Sequence, residues 1–474
     1  MNFFSAFFHP ESRRFRLILL LASGFCCTTF MRMHLAITMT CMVNSTAISI
    51  VEEQIYHPEQ FNITESTSTS WKAHCEKRAP DGHTIVVDYG GTLLWSHREQ
   101  NFIFSGTFWG ALLVIGPSML VYHHCSPRLL LVAAMGAYIM STIVTPTLAL
   151  HVGVVAVFVA RVFMGFGEGF VIPSINSIIS NWFPVEEKST AIALYTAGNQ
   201  FSGALGNPLA AALCASSYGW PTVFYFTAAV ASLWCILWIF TSTNHPRNCV
   251  QMTTRERAYL TANVVHHSTR TRSVIYVRMF TSPPFLAQLL CYFITNITIT
   301  LFHFYMPSFS KDVLYLGVIA NGTFAALPNL VNFFCKIMWS MLMDRLKVKK
   351  LITPTFAFIP VFTTTASAVL TYLNVAVLTS FIFRYGTMGG FTSGFYTSLL
   401  SLAPRYTSTM SAVSLSVGML GRLCTPSLVG FIKKTGTLTE WKILFCTVAL
   451  MNVFSGTIFL LFGSGMFLKQ RFFI

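Results

Sequence analysis

The chain has 474 residues, 54% of them hydrophobic and only 10% charged, with 44 phenylalanines. A soluble domain carries about 25% charged residues, so a chain this poor in charge cannot keep a water-facing surface and reads as a polytopic membrane protein. The formal net charge of +15 does not point to nucleic acid, because the basic residues are scattered over loops that fall on one side of the predicted bundle.

Apolar runs of twenty or more residues recur along the chain, which favours helices over the short alternating strands of a barrel. The opening MNFFSAFFHPESRRFR lacks the layout of a cleaved signal peptide, so the first span is expected to act as an uncleaved anchor. Twelve spans are expected: 16–42, 100–122, 129–149, 152–181, 189–214, 221–241, 285–309, 314–343, 351–373, 375–401, 408–432 and 443–467. The expected fold class is an all-α membrane protein.

Loop charge orients the bundle. Arg13, Arg14 and Arg16 precede the first span, and Lys469 and Arg471 follow the last. Arg247, Arg255, Arg257, Arg270, Arg272 and Arg278 lie between spans six and seven, and Arg345, Lys347, Lys349 and Lys350 follow span eight. The loop 44–98 instead holds seven acids against four bases. Both termini are therefore expected in the cytosol, with that loop outside or in a lumen. It carries a glycosylation sequon at Asn62. A second sequon at Asn296 falls inside a span and is discounted.

The parts are expected to be a cytosolic N-terminus (1–15), a first six-helix half (16–241), a basic linker (242–284), a second half (285–468) and a short tail (469–474). Weak repeats support the division. GWPTVF at 219–224 matches EWKILF at 440–445, and Gly203 and Gly206 in span five match Gly418 and Gly421 in span eleven. Trp182-Phe183-Pro184 likewise matches Leu402-Ala403-Pro404. Duplicated transporters leave such traces.

Twelve cysteines invite disulfide arithmetic, but most lie in apolar segments (Cys26, Cys27, Cys235, Cys291, Cys335, Cys446), where they act as small hydrophobes. No pair has metal-ligand spacing. A nucleotide loop and a nucleophile motif are equally lacking. Neither enzymatic activity nor a cofactor is expected.

The informative stretch is RVFMGFGEGFVIP at 161–173. Arg161 and Glu168 share one helix face but stand roughly 10.5 Å apart in height, too far for an ordinary intrahelical pair. The intervening Gly165, Gly167 and the following Gly169 let a neighbouring helix or a substrate approach closely. Each mid-membrane arginine costs roughly 2.5–3.5 kcal/mol on insertion scales, and Arg32, Lys336, Arg384 and Arg422 add to the cationic set. Glu168 is the single interior acid against them. That excess points to a water-filled site for an anion, with Arg32, Arg161 and Arg384 the candidate ligands. Arg422 and Lys336 fall off the predicted pore-lining face, where helix-end anchoring explains them as well. Glu168, if desolvated, and His34, by its ordinary range, are the candidate proton carriers.

With these residues assembled, the chain resembles the anion:cation symporter branch of the major facilitator superfamily, which contains sialin, the vesicular glutamate transporters and the sodium/phosphate co-transporters. The carriers of the resemblance are Arg32 with Leu35, CMVNST (41–46), FWG (108–110), RVFMGFGEGFVIP (161–173), NWFPVEEKS (181–189), GWPTVFY (219–225), SGF (393–395), APRY (403–406) and EW (440–441). The resemblance implies two pseudo-symmetric six-helix halves around a central cavity lined by spans one, four, seven and ten. It implies that Arg32 and Arg161 line the anion path, with Thr295, Asn296 and Arg384 opposite, and that Glu168 takes part in coupling. The chain departs from the vesicular glutamate transporters, which carry a histidine at Phe104 and an arginine at Thr295, so a carrier of that type is not expected. The expected function is secondary active transport of a small anion with H+ or Na+, by a monomer in a plasma or endolysosomal membrane. A voltage-driven uniporter and a transport-deficient anion sensor are the alternatives.

Overall fold

The computed structural model describes residues 12–44, 76–78, 84–86, 89, 91–246, 249, 252–263, 282–348, 407–434 and 436–462. The first half contains α1 (Arg13–Met42), α2 (His97–His124), α3 (Pro127–His151), α4 (Val154–Trp182), α5 (Val185–Cys214) and α6 (Pro221–Thr241). The linker contributes α7 (Thr254–Asn263), and the second half α8 (Pro283–Asp312), α9 (Val318–Val348), α10 (Thr407–Ile432) and α11 (Leu438–Phe462). Ten of the twelve expected spans thus coincide with described helices; spans 351–373 and 375–401, with Arg384, lie outside the described residues. Asn62 also lies outside them, as does the side chain of Lys336. The loop between α1 and α2 adds one small element that apolar periodicity did not signal, a hairpin pairing β1 (Glu76–Arg78) antiparallel with β2 (Thr84–Val86).

Local chemistry fixes the helix ends. Ser96 and Glu99 form a reciprocal capping box at the start of α2. Pro127, Pro221 and Pro283 open α3, α6 and α8, where the missing N–H is no loss. Gly153, at φ 108°, makes the turn from α3 into α4. Among the described residues, seven helices are long and apolar enough to cross a membrane. Leu233, Ile236 and Phe240 on α6 stay exposed, as side chains facing lipid would.

The helices pack through glycine. A Cβ on Gly110 of α2 would lie 2.0 Å from the Val162 carbonyl oxygen, and one on Gly165 of α4 would lie 2.2 Å from that of Thr107. On the other flank of α4, a Cβ on Gly167 would come within 2.8 Å of the Ala134 oxygen in α3. The glycines beside Glu168 therefore admit α2 and α3 rather than a ligand. They fix the height at which α4 presents its charges.

The Trp and Phe positions of the repeat pair in both halves, edge-on at 82° in the first and tilted at 30° in the second. Trp220 meets Phe224 at the start of α6 with ring centroids 5.9 Å apart, and Trp441 meets Phe445 on α11 at the same 5.9 Å. Both tryptophans are buried.

Two clusters lie at opposite ends of the bundle. At the end carrying the 44–98 loop, the two halves are joined. Tyr305 OH donates to Asn101 Oδ1 at 2.7 Å, Lys311 Nζ donates to the Thr40 carbonyl at 3.2 Å, and Tyr89 OH donates to the Leu316 carbonyl. Phe104 contacts Phe304 and Tyr305 edge-on, with centroids 5.6 and 5.5 Å apart. At the linker end, Glu256 of α7 caps α1 from outside. Its carboxylate accepts from Ser12 Oγ at 3.0 Å, the Arg13 and Arg14 backbone N–H groups at 3.1 and 3.2 Å, and Arg14 Nε at 3.1 Å. These N–H groups have no intrahelical acceptor. Arg14 Nη1 reaches Glu187 at the start of α5, and Tyr259 OH donates to the same carboxylate at 3.3 Å.

Candidate functional site

The interior charges meet near the middle of the bundle, where α1, α3, α4, α8 and α10 converge. Glu168 is the hub. Its Oε1 accepts from Arg32 Nη1 of α1, and its Oε2 accepts from the Tyr138 hydroxyl of α3. Arg422 of α10 brings Nη1 to 3.8 Å from the same Oε1, across the junction of the halves. Arg32 and Glu168 side chains are each 10% exposed, while Arg422 keeps 22%. Both carboxylate oxygens are thus occupied from within the first half, and Arg422 is attracted without completing a hydrogen bond.

Asn296 of α8 orients Arg422. Its Oδ1 accepts from Arg422 Nε at 2.9 Å, and its Nδ2 donates to the Tyr292 carbonyl at 2.8 Å, which fixes the amide's direction. Two glycines permit the approach. A Cβ on Gly421 would lie 2.4 Å from the Phe293 oxygen, and one on Gly418 would lie 2.4 Å from the Tyr292 ring. Thr295, next along α8, is half-buried.

Arg161 stands apart from this network. It is 1% exposed and has no carboxylate within salt-bridge reach among the described residues. Its Nη1 makes two long contacts, with the Met31 carbonyl and Met164 Sδ, both at 3.4 Å. Among the described residues, Nε and Nη2 have no protein partner. Its guanidinium carbon lies 6.0 Å from the centroid of the Phe224 ring. His34 meets the same ring edge-on at 4.7 Å, and neither of its nitrogens has a partner among the described residues. Burying donors without acceptors costs about 1–3 kcal/mol per group, more when charged, so this neighbourhood lacks an acceptor that the described residues do not supply.

Of the residues singled out in the sequence, the structure brings together Arg32, Glu168 and Asn296. It sets Arg161 and His34 beside them around Phe224, and leaves Thr295 at the edge. Two members were missed. Tyr138 is an unremarked aromatic in an aliphatic span. Arg422 was assigned to a face away from the pore, whereas its guanidinium reaches Glu168 and Asn296; the glycines at 418 and 421 were the available signal that α10 crosses α8 closely. Among the described residues no three His, Cys, Asp or Glu side chains cluster as metal ligands.

An all-helical bundle with duplicated halves and buried charges at their junction is a transporter architecture, and comparison with known proteins decides which. The profile of the Major Facilitator Superfamily matches residues 21–426. The chain belongs to the major facilitator superfamily. Within it the relatives are of the anion:cation symporter branch. The chain is 48% identical to the uncharacterized transporter slc-17.3 of Caenorhabditis elegans, over 97% of this chain and 89% of that one. It is 25% identical to sodium-dependent phosphate transport protein 3 of Mus musculus, over 91% and 90%. The fold matches the crystal structure of a D-xylose-proton symporter with a TM-score of 0.65 at 14% identity, covering 96% of this chain and 98% of that one. This superfamily member is therefore a multi-pass membrane transporter and not an enzyme.

Proposed function

We propose that this superfamily member is a secondary active transporter of a small organic or inorganic oxyanion, working by alternating access between its two halves. The observation that carries the reading is Arg161, a buried guanidinium with two nitrogens that have no protein partner among the described residues. An oxyanion supplies what is missing there, because a guanidinium presents paired donors that match carboxylate or phosphate oxygens. Arg32 differs: Glu168 already neutralises it. Protonation of Glu168 would release Arg32, so anion and proton binding would reinforce each other, which is symport with H+. The name of the murine relative includes dependence on sodium, and Na+ is the second coupling ion to test.

The test is uptake of radiolabelled phosphate, L-glutamate, urate and N-acetylneuraminate into proteoliposomes, with and without imposed proton and sodium gradients. Arg161→Ala is expected to reduce the wild-type flux at least 100-fold at unchanged yield of folded protein, with Arg161→Lys recovering a small part. Undiminished flux in Arg161→Ala would remove Arg161 from the anion path, and flux indifferent to both gradients would leave a voltage-driven uniporter.

A further inference from the structure

We infer that Arg422 is the anion ligand contributed by the second half, and that Glu168 is a tethered counter-anion which holds it until substrate arrives. The inference rests on the anion-transport reading and names a residue and a division of labour that this reading did not require.

Three observations lead to it. First, Arg422 is fixed in direction by a neutral group. Asn296 takes the Nε proton at 2.9 Å and is itself held by the Tyr292 carbonyl, so the outer edge of the guanidinium points away from α8. That edge carries the two nitrogens best suited to a carboxylate or phosphate. Second, the guanidinium is left incomplete. At 3.8 Å from Glu168 Oε1 it is in electrostatic range but outside hydrogen-bond range, because Arg32 and Tyr138 already take the two carboxylate oxygens. Third, its side chain keeps 22% exposure, against 10% for Arg32 and for Glu168. Of the cations gathered at Glu168, Arg422 is the less buried one.

The arrangement also answers a requirement of alternating access. A substrate that drives two halves to rearrange must hold on to both. Arg161 and Arg32 belong to the first half, and among the described residues Arg422 is the second-half cation at this depth. An oxyanion bound at Arg422 replaces Glu168 as its negative partner, converting an internal attraction across the junction into one mediated by cargo. In the empty carrier Glu168 does the substrate's electrostatic work.

The experiment uses the full-length chain in proteoliposomes, with radiolabelled phosphate, L-glutamate and N-acetylneuraminate as probes, and the probe giving the largest wild-type flux is carried forward. Arg422→Gln is expected to raise KM for that probe roughly tenfold or more, about 1.4 kcal/mol or more of lost binding, with a smaller change in maximal rate. Arg422→Lys should return KM to within about threefold of wild type. Glu168→Gln, which removes the competing carboxylate, should lower KM. The double variant Thr295→Arg with Arg422→Gln moves the charge one helix over and should recover part of the loss, a rescue that repair of packing alone would not produce. Unchanged KM in Arg422→Gln, or a Lys variant no better than Gln, would overturn the inference while leaving the transport reading intact. A wild type that moves none of the three probes would overturn both.

Discussion

Two of the regions where the halves touch work by different physics. At the loop end the contacts that cross between the halves are aromatic edges between Phe104, Phe304 and Tyr305, hydroxyls on an amide and a backbone carbonyl, and one ammonium on a backbone carbonyl, with a Lys433–Asp312 ion pair inside the second half alongside. In the middle the junction is ionic, with Glu168 facing Arg32 from its own half and Arg422 from the other. Contacts of the first kind are each worth about 1 kcal/mol and separate one at a time. Those of the second kind, taken out of water, cost several kcal/mol when a partner is removed. Under the proposed alternating access, the loop end would open and close and the middle would decide when.

Four substitutions test that contrast. The largest effect is expected from Glu168→Ala, which strands Arg32 in a buried site: a fall in Tm of about 5 °C or more in detergent. Adding Arg32→Gln should restore at least half, since both charges then leave together. A strictly additive pair would deny that the middle acts as an ionic unit. Phe104→Ala comes next. By removing the ring that bridges Phe304 and Tyr305 it should loosen the loop end, seen as hydrogen exchange over residues 97–108 faster by roughly tenfold, while exchange near Tyr138 stays put. Equal acceleration at both places would mean the two regions are one. The smallest effect belongs to Tyr305→Phe, which deletes a single hydroxyl and leaves Asn101 Oδ1 unsatisfied. It should speed exchange in the same peptide by about fivefold, consistent with about 1 kcal/mol, and leave Tm nearly unchanged.

The same contrast explains what the sequence made legible. Spans were visible because each must be apolar along its length, and this requirement is local. Gly165 and Gly167 were visible as a track because close helix approach also leaves a local mark, although the space they make is filled by α2 and α3. Arg161 and Glu168 announced themselves by their cost in lipid. Partnership carries no such mark. Arg422 and Asn296 are 126 residues apart, and nothing in the order of residues states that α10 crosses α8 at their height. Phe104 was noticed as a departure from relatives, but its role in joining the halves depends on rings of α8. The helix-end position of Glu256 gave no sign that it caps α1, because a cap supplied from another helix has no fixed spacing.

That cap has a mechanical consequence. Because Glu256 and Tyr259 fasten α7 to α1 and α5, the covalent connection between the halves effectively begins at Asn263 rather than at Thr241. From there to Ser282 the chain has nineteen peptide steps, a reach of roughly 65 Å when fully extended, against roughly 140 Å for the forty-one steps from Thr241. The clasp roughly halves that count and anchors the linker on the first turn of α1, the same helix that carries Arg32.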